Sequence, residues 1–307
     1  MRILGTGGVA PSKTLTNDDL SHMVETSDEW IRSRTGIVSR HIAQEEDSTF
    51  SLALAAARRA MDAACEQGVR PEQIGLVICA TTSNEYHCPS LACLLQRDLG
   101  LRNDLLAYDL NAACSGFMYA FITASQLISK DNYALVVGSE VLSRLTDFTD
   151  RNTCVLFGDG AGAVVMAPSL DGSPFYWAAE SRGDDDALSI TDYIHMDGQA
   201  VFKFAVEALI GNIRSVAAKA QMALENVDHF ICHQANERII ASAAKRLGLP
   251  LERFFMNLAH YGNTSAASIP LALDEALGAR LIHPGNTIIM AGFGGGLTAG
   301  AACFTWE

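Results

Sequence analysis

Apolar residues along this chain fall into two alternating periodicities. Ser48–Gln67 repeats small apolar residues at helical spacing and predicts an amphipathic helix, whereas Ile74–Thr81 is a continuous apolar run of strand length. Pro89–Leu99 reads as a further helix, Leu105–Leu110 as a strand, and Tyr133–Gly138 and Gly162–Met166 as two more buried strands. Strands that alternate with helices predict an α/β fold. Met1–Leu4 predicts a short edge strand that ends in a turn at Gly5-Thr-Gly-Gly-Val-Ala10, with the next helix starting only at Asn17.

One helix breaks the amphipathic rule. No charge appears between Asp109 and Lys130, and the run is apolar on nearly every face, so it belongs in the interior of a large core. Asn111, Thr123, Ser125 and Gln126 speak against lipid as its surroundings. Cys114 falls at or just before the start of this helix, flanked by Ala112, Ala113, Ser115 and Gly116. Unpaired N–H groups and the positive end of the helix dipole favour a thiolate there, and small neighbours admit a substrate carbonyl. A packed core cysteine is the competing reading of this stretch alone.

The pattern then repeats. Gln73–Cys79, a helix and Asp98-Leu-Gly-Leu101 match Val227–Cys232, a helix and Arg246-Leu-Gly-Leu249. Tyr108–Gly116 matches Met256–Ser265, and Ala134–Gly138 with Gly158–Val165 matches Thr287–Met290 with Gly292–Cys303. Three matched segments in one order predict an internal duplication, with halves at 1–170 and 171–307 joined within Pro168–Leu188.

Composition narrows the class. Of the 307 residues, 49% are hydrophobic and only 19% charged, as in a compact and heavily buried globular protein. A net charge of −13, with no basic run to offset it, argues against nucleic acid as a partner. The eight cysteines are scattered, without a C-x-x-C pair or a secretory leader, which predicts free thiols in the cytoplasm. Gly285–Trp306 is an uncharged run of 22 residues, long enough for a bilayer, but its six glycines fit two buried strands and a turn better. No membrane association is therefore expected. His229 and His233 stand four apart on a strand and loop, not on one helix face, so no metal site is expected.

Candidate chemistry lies in equivalent loops of the two halves. Cys114 follows a strand in the first half. His233 follows Phe230-Ile-Cys232, and Asn263 lies in the segment that the repeat pairs with the Cys114 loop. A cysteine with His and Asn elsewhere in the chain is an acyl-transfer constellation. Trp30 and Arg34 share a helical face, an arrangement suited to stacking on a flat ring and pairing with phosphate.

These residues sit in motifs that resemble, over essentially the whole chain, the β-ketoacyl-acyl carrier protein synthase III family of the thiolase superfamily. The motifs are Thr26-Ser-Asp-Glu-Trp30 with Arg34-Thr-Gly, Ala113-Cys-Ser-Gly116, Asp150-Arg151 with Phe157–Gly162, His233-Gln-Ala-Asn236, His260–Ser265 and Gly294-Gly-Gly296. The resemblance implies a thiolase-like α-β-α-β-α layered fold with two five-stranded mixed sheets, usually a homodimer. It implies that Cys114 takes an acyl group from acyl-CoA, with an oxyanion held by the N–H groups of Cys114 and Gly295. His233 and Asn263 would then stabilise the enolate formed when malonyl-acyl carrier protein loses CO2. Coenzyme A thioester is a substrate in this scheme, and no cofactor is held permanently. Trp30 and Arg151 resemble the pair that sandwiches the adenine, with Thr26, Arg34 and Asn236 touching the nucleotide or pantetheine. Lys203, Arg238, Lys245 and Arg246 would form a basic rim for the acidic carrier protein.

Three departures bear on the expectation. The segment between Ala179 and His195 is short for the family, Ala299 stands where a Trp is frequent, and Cys88 stands where many members have a bulky aromatic that limits the primer. The last of these predicts an acyl pocket that accepts primers longer than acetyl. Two other readings compete. One is a specialised-metabolism enzyme that uses the same three residues on a non-carrier acceptor. The other is a nucleotide-binding oxidoreductase built on Gly5–Ala10, which would need a helix opening on the second glycine.

Overall fold

The computed structural model describes all 307 residues. Its first part runs β1 (Arg2–Val9), β2 (Thr14–Thr16), α1 (Asn17–Ser21), α2 (Asp28–Thr35), β3 (Ser39–His41), α3 (Thr49–Glu66) and β4 (Ile74–Ala80). It continues through α4 (Leu91–Asp98), β5 (Leu106–Leu110), α5 (Gly116–Leu127), β6 (Tyr133–Glu140), α6 (Arg151–Cys154) and β7 (Gly160–Ala167). The second part runs β8 (Tyr176–Ser181), β9 (Leu188–Ile190), β10 (Ile194–Met196), α7 (Gly198–Lys219), β11 (His229–Cys232) and α8 (Glu237–Leu247). It closes with β12 (Phe254–Phe255), α9 (Leu258–Tyr261), α10 (Ser268–Gly278), β13 (Thr287–Gly294) and β14 (Thr298–Thr305).

Two five-stranded sheets carry the repeat. The first has the order β1-β7-β6-β4-β5 and the second, read in the same sense, β8-β14-β13-β11-β12. Pairings correspond strand for strand: β1–β7, β6–β7, β8–β14 and β13–β14 are antiparallel, while β4–β6, β4–β5, β11–β13 and β11–β12 are parallel. The segments that match in sequence are therefore the segments that match in topology.

Strand alternation builds three cores and five layers. On β13, Ile288 and Met290 face the middle while Ile289, Ala291 and Phe293 face the outer helices α7 and α8. On β7, Val164 and Met166 face the middle while Ala163 and Val165 face α3. Helices α5 and α10 fill the middle layer between the sheets, which explains why neither has an exposed polar face along most of its length.

The glycine-rich segment near the N-terminus differs from expectation. β1 does not turn at Gly5 but runs through to Val9 along β7. A Cβ at Gly7 would collide with the carbonyl oxygen of Ala56 on α3, so glycine lets strand and helix pack close. No helix opens on the second glycine, and the dinucleotide fingerprint is absent as a structure. Gly285–Trp306 forms β13 and β14 with the turn before them, and no helix is long and apolar enough to cross a membrane.

Candidate active site

The loops that follow the parallel strands of both sheets meet at one place, the usual consequence of strand ends that point the same way. β5 delivers Cys114, β11 delivers His233, β12 and α9 lead to Asn263, and β13 ends at the Gly294–Gly296 turn. Local geometry repeats in detail. Ala113 (φ 46°) and Ser265 (φ 48°) both adopt left-handed backbone at the first residue of a short 3-10 turn that enters the middle helix. Their N–H groups donate to Asn111 Oδ1 at 3.2 Å and Asn263 Oδ1 at 2.9 Å. Asn263 is thus the counterpart of Asn111, three residues ahead of Cys114.

Two cavities meet at Cys114. One, of about 570 Å³, is shared by Cys114, His233 and Asn263 and is edged by Trp30, Arg34 and Asn236. The other, of about 780 Å³, lies beyond the sulfur and is walled by Leu142, Leu145, Phe157, Leu188 and Ile194, with Gly295 beside Cys114. The short segment after Ala179 forms the β9–β10 hairpin, and Leu188 and Ile194 from it close this second cavity. A Cβ on Gly294 would stand 2.6 Å from the Cys114 amide nitrogen, so only glycine lets this strand end lie against the nucleophile loop.

Burial governs the electrostatics. Desolvation pushes the Cys114 thiol up to about 12; Ser265 opposes the shift and the charge of Glu140 adds to it. The resting sulfur is therefore a thiol, and the expected thiolate at the helix start is overruled by loss of water around it. His233 is 1% exposed, and desolvation drives it down to about 3, so its ring is neutral. Its Nδ1 lies 2.6 Å from Ser268 Oγ, and Phe293 meets the ring edge-on at 5.0 Å. Asn263 is gripped on both sides: its N–H donates to Leu156 O at 2.9 Å, and its carbonyl accepts the Gly158 N–H at 3.0 Å. The glycines of Phe157–Gly162 therefore serve close packing and not a phosphate.

The mouth of the first cavity gathers the expected nucleotide contacts. Ser27 caps α2, as the sequence predicts, by accepting the Trp30 N–H. Arg34 lies 5.4 Å and Arg151 4.8 Å from the Trp30 ring centre, so both guanidinium groups stack on the indole. The Thr26 hydroxyl has no partner within the chain. Asn236 is already engaged: it caps α8 by accepting the Arg238 N–H and donates to Arg34 O at 3.1 Å, tying α2 to α8. Lys203, Arg238, Lys245 and Arg246 are all exposed on α7 and α8. Arg238 lies over the Phe202 ring at the cavity edge, whereas Arg246 is paired with Glu207 at 2.7 Å.

Cys88 is not brought to the site. It is exposed and lines neither cavity. No group of three or more His, Cys, Asp or Glu side chains is arranged to hold a metal ion. Two residues of the site had no motif to reveal them. Ser268 is the second of two serines in a run of small residues. Glu140 had a signal, a lone acid after Val136-Val-Gly-Ser139, and it is fully buried, accepting from Ser83 Oγ at 2.6 Å and Ser265 Oγ at 3.1 Å.

Known proteins share this sequence pattern and fold. Residues 108–182 match the family model described as 3-oxoacyl-[acyl-carrier-protein (ACP)] synthase III, and residues 217–306 match the model of its C-terminal part. The chain is 44% identical to the beta-ketoacyl-[acyl-carrier-protein] synthase III of Clostridium acetobutylicum, over 100% of this chain and 98% of that one. Identity to the protein of the same description from Geobacillus kaustophilus is 48%, over 99% of this chain and 98% of the relative. The crystal structure of 3-oxoacyl-[acyl-carrier-protein] synthase III from Aquifex aeolicus superposes with a TM-score of 0.94 at 43% identity, covering 99% of each chain. Likeness of this extent, in sequence and in fold alike, admits one assignment: the chain belongs to the 3-oxoacyl-[acyl-carrier-protein] synthase III family.

Proposed function

We propose that Cys114, His233 and Asn263 divide between them the activity the family carries, the β-ketoacyl-[acyl-carrier-protein] synthesis that initiates fatty acid synthesis. The chain is an acyltransferase of that kind. The observation that carries the division of labour is the position of Cys114 between two cavities, one shared with His233 and Asn263 and edged by Trp30, Arg34 and Asn236, the other walled by Leu142, Leu145, Phe157, Leu188 and Ile194.

In this reading acyl-CoA enters past Trp30 and its acyl chain passes Cys114 into the second cavity, along Leu142, Leu145, Phe157, Leu188 and Ile194. The sulfur attacks the thioester carbonyl, the oxyanion meets the N–H groups of Cys114 and Gly295, and CoA leaves with the thiol proton. Malonyl-acyl carrier protein then occupies the first cavity, guided by Lys203, Arg238, Lys245 and Arg246. His233 and Asn263 donate hydrogen bonds to its thioester oxygen. Loss of CO2 leaves an enolate whose carbon attacks the acyl-Cys114 carbonyl, and the Cys114 thiolate departs and takes a proton. Neutral nitrogen donors suit this step because charge grows on oxygen, and burial of His233 supplies that neutrality. Arg151 covers the Trp30 ring, so an adenine would have to displace its guanidinium to stack there.

A homodimer belongs to the same reading. β5 is an edge strand with Leu106 61% exposed, and the segment leading into α4 is bonded to it through Asp109. Cys88 lies in that segment, so it can influence primer length only if a second copy brings it to an acyl cavity. Turnover with hexanoyl- or octanoyl-CoA above that with acetyl-CoA is expected, and the reverse order would remove the primer-length reading.

The decisive experiment is intact-protein mass spectrometry after incubation with acyl-CoAs and then with malonyl-acyl carrier protein. Acylation that maps to Cys114 and is cleared with release of a 3-oxoacyl product is expected. An acyl-enzyme that the malonyl carrier cannot clear would overturn the proposed acceptor.

A further inference from the structure

His233 is held from behind by a hydroxyl whose own bonding is fully determined. Ser268 Oγ has two polar partners, His233 Nδ1 at 2.6 Å and the Gln234 N–H at 3.3 Å. Both Ser268 and His233 are buried, 2% and 1% exposed. A serine hydroxyl offers one hydrogen and two lone pairs, and a neutral imidazole has one N–H and one acceptor nitrogen. Gln234 donates to Ser268 Oγ, so the only acceptor left for the hydroxyl hydrogen is Nδ1. If Nδ1 carried the ring proton instead, the serine would accept twice and its own hydrogen would be buried with no partner. Leaving such a donor unsatisfied disfavours that arrangement by roughly 5- to 150-fold, which is about 1–3 kcal/mol at 1.4 kcal/mol per factor of ten.

We propose that Ser268 is a positioning residue that fixes His233 as the Nε2–H tautomer, so that the ring presents a hydrogen-bond donor and not a base to the cavity. The inference rests on the reading above, in which His233 polarises the malonyl thioester. Its consequence is that His233 does not take the Cys114 proton, which leaves with the departing CoA sulfur. Burial keeps the ring neutral, so the choice of tautomer is the whole of its chemistry at the working pH. Phe293, edge-on at an interplanar angle of 67°, fixes the ring plane as Ser268 fixes the proton. The repeat sets the device in relief. Counting from the paired left-handed residues Ala113 and Ser265, the counterpart of Ser268 is Gly116, also the first residue of its helix, in the half where Ala80 follows Cys79 as His233 follows Cys232.

The test begins with the unaltered protein. In protein labelled with 15N-histidine, the His233 ring, assigned by its absence from His233→Ala, should show a protonated Nε2 and an acceptor Nδ1. Ser268→Ala should slow condensation by about 5- to 150-fold in kcat, with the KM for malonyl-acyl carrier protein and the rate of Cys114 acylation unchanged. Ser268→Thr, which keeps the hydroxyl, should restore most of the rate. A protonated Nδ1 in the unaltered protein would overturn the proposal even if every variant failed to fold. So would a Ser268→Ala enzyme that condenses normally, or one that loses acylation and condensation alike. Should His233→Ala condense as fast as the unaltered enzyme, the reading of His233 itself falls, and this inference with it.

Discussion

Cys114, His233 and Asn263 are legible in the sequence as a candidate set, but their ionisation is not. Cys114 stands at a helix start, and helix-start chemistry alone predicts a thiolate; only the packing of the Gly294–Gly296 turn and Ser265 around it reveals the cost of its burial. Because the thiol is pushed up to about 12, its thiolate fraction should rise about tenfold per pH unit across neutral and mildly alkaline pH. Alkylation of Cys114 by iodoacetamide, followed by peptide mapping, should show that slope between about pH 7 and 9. A flat profile would mean a preformed thiolate and would restore the helix-start expectation. His233 and Asn263 make a separate prediction, since the proposed function has them serve the second half-reaction alone. His233→Ala and Asn263→Ala should still acylate Cys114 yet lose about 10²- to 10³-fold in condensation, the usual cost of one lost oxyanion donor. Equal loss of both half-reactions, measured in single turnovers, would assign them a different role.

Elements decide which of the expected ligand contacts are free to be contacts. Asn236 carries a family motif, but in the fold its carboxamide caps α8 at one end and ties α2 to α8 at the other. Asn236→Ala should therefore cost about 1 kcal/mol of stability, the ordinary value of an N-cap, and lower the melting temperature by about 2 °C. An unchanged melt with a raised KM for acyl-CoA would make it a ligand residue and nothing else. Arg151 caps no helix: it stacks on Trp30 and donates to the exposed Glu25 carbonyl at 3.0 Å, so Arg151→Ala should raise the KM for acyl-CoA about 3- to 10-fold and leave condensation of a preloaded enzyme alone. Most helices and buried strands were readable because capping residues such as Ser27 and Ser48 and the apolar runs agree locally. The far end of β1 departs from the sequence pattern for a physical reason. Its glycines look like a turn in sequence, yet the strand continues because Gly7 makes room for α3, a contact between residues some fifty positions apart.

At the scale of the molecule the duplication is visible in sequence, but the joining of the two halves is not. Each sheet is built from one half, whereas the middle core mixes them: Met1, Ile78 and Phe117 share it with Ile269, Met290 and Phe304. Helix α10, from the second half, packs on β1 and β7 of the first. Neither half can keep that surface dry alone, so the chain should unfold in one cooperative step, without a phase belonging to either half. The pH dependence of that step follows from the same burial. Cys232, buried in the outer core, and Cys114, half-buried between the two cavities, are both pushed up to about 12 by desolvation, while in an unfolded chain a thiol ionises near about 8.5. Above that pH the unfolded state sheds protons that the native state keeps, so the native state binds more protons and stability falls as pH rises. Each such thiol removes up to about 1.4 kcal/mol per pH unit until its native value is reached. On the acid side His233, driven down to about 3, works in the other sense: below about 6.5 the unfolded state gains a proton that the native ring refuses, and stability falls as pH drops. Buried Glu140, held above the usual carboxylate range, partly opposes that acid loss, since its native form keeps a proton the unfolded chain gives up. The alkaline limb, where the buried thiols act together, is therefore the sharper test. Urea midpoints should be level from about pH 6.5 to 8.5 and lower at pH 9.5, and replacing Cys232 by Val should reduce the alkaline loss without touching the acid one. A midpoint that does not move at pH 9.5 would mean that the thiols ionise inside the fold, and that the cavity around Cys114 is wetter than its packing implies.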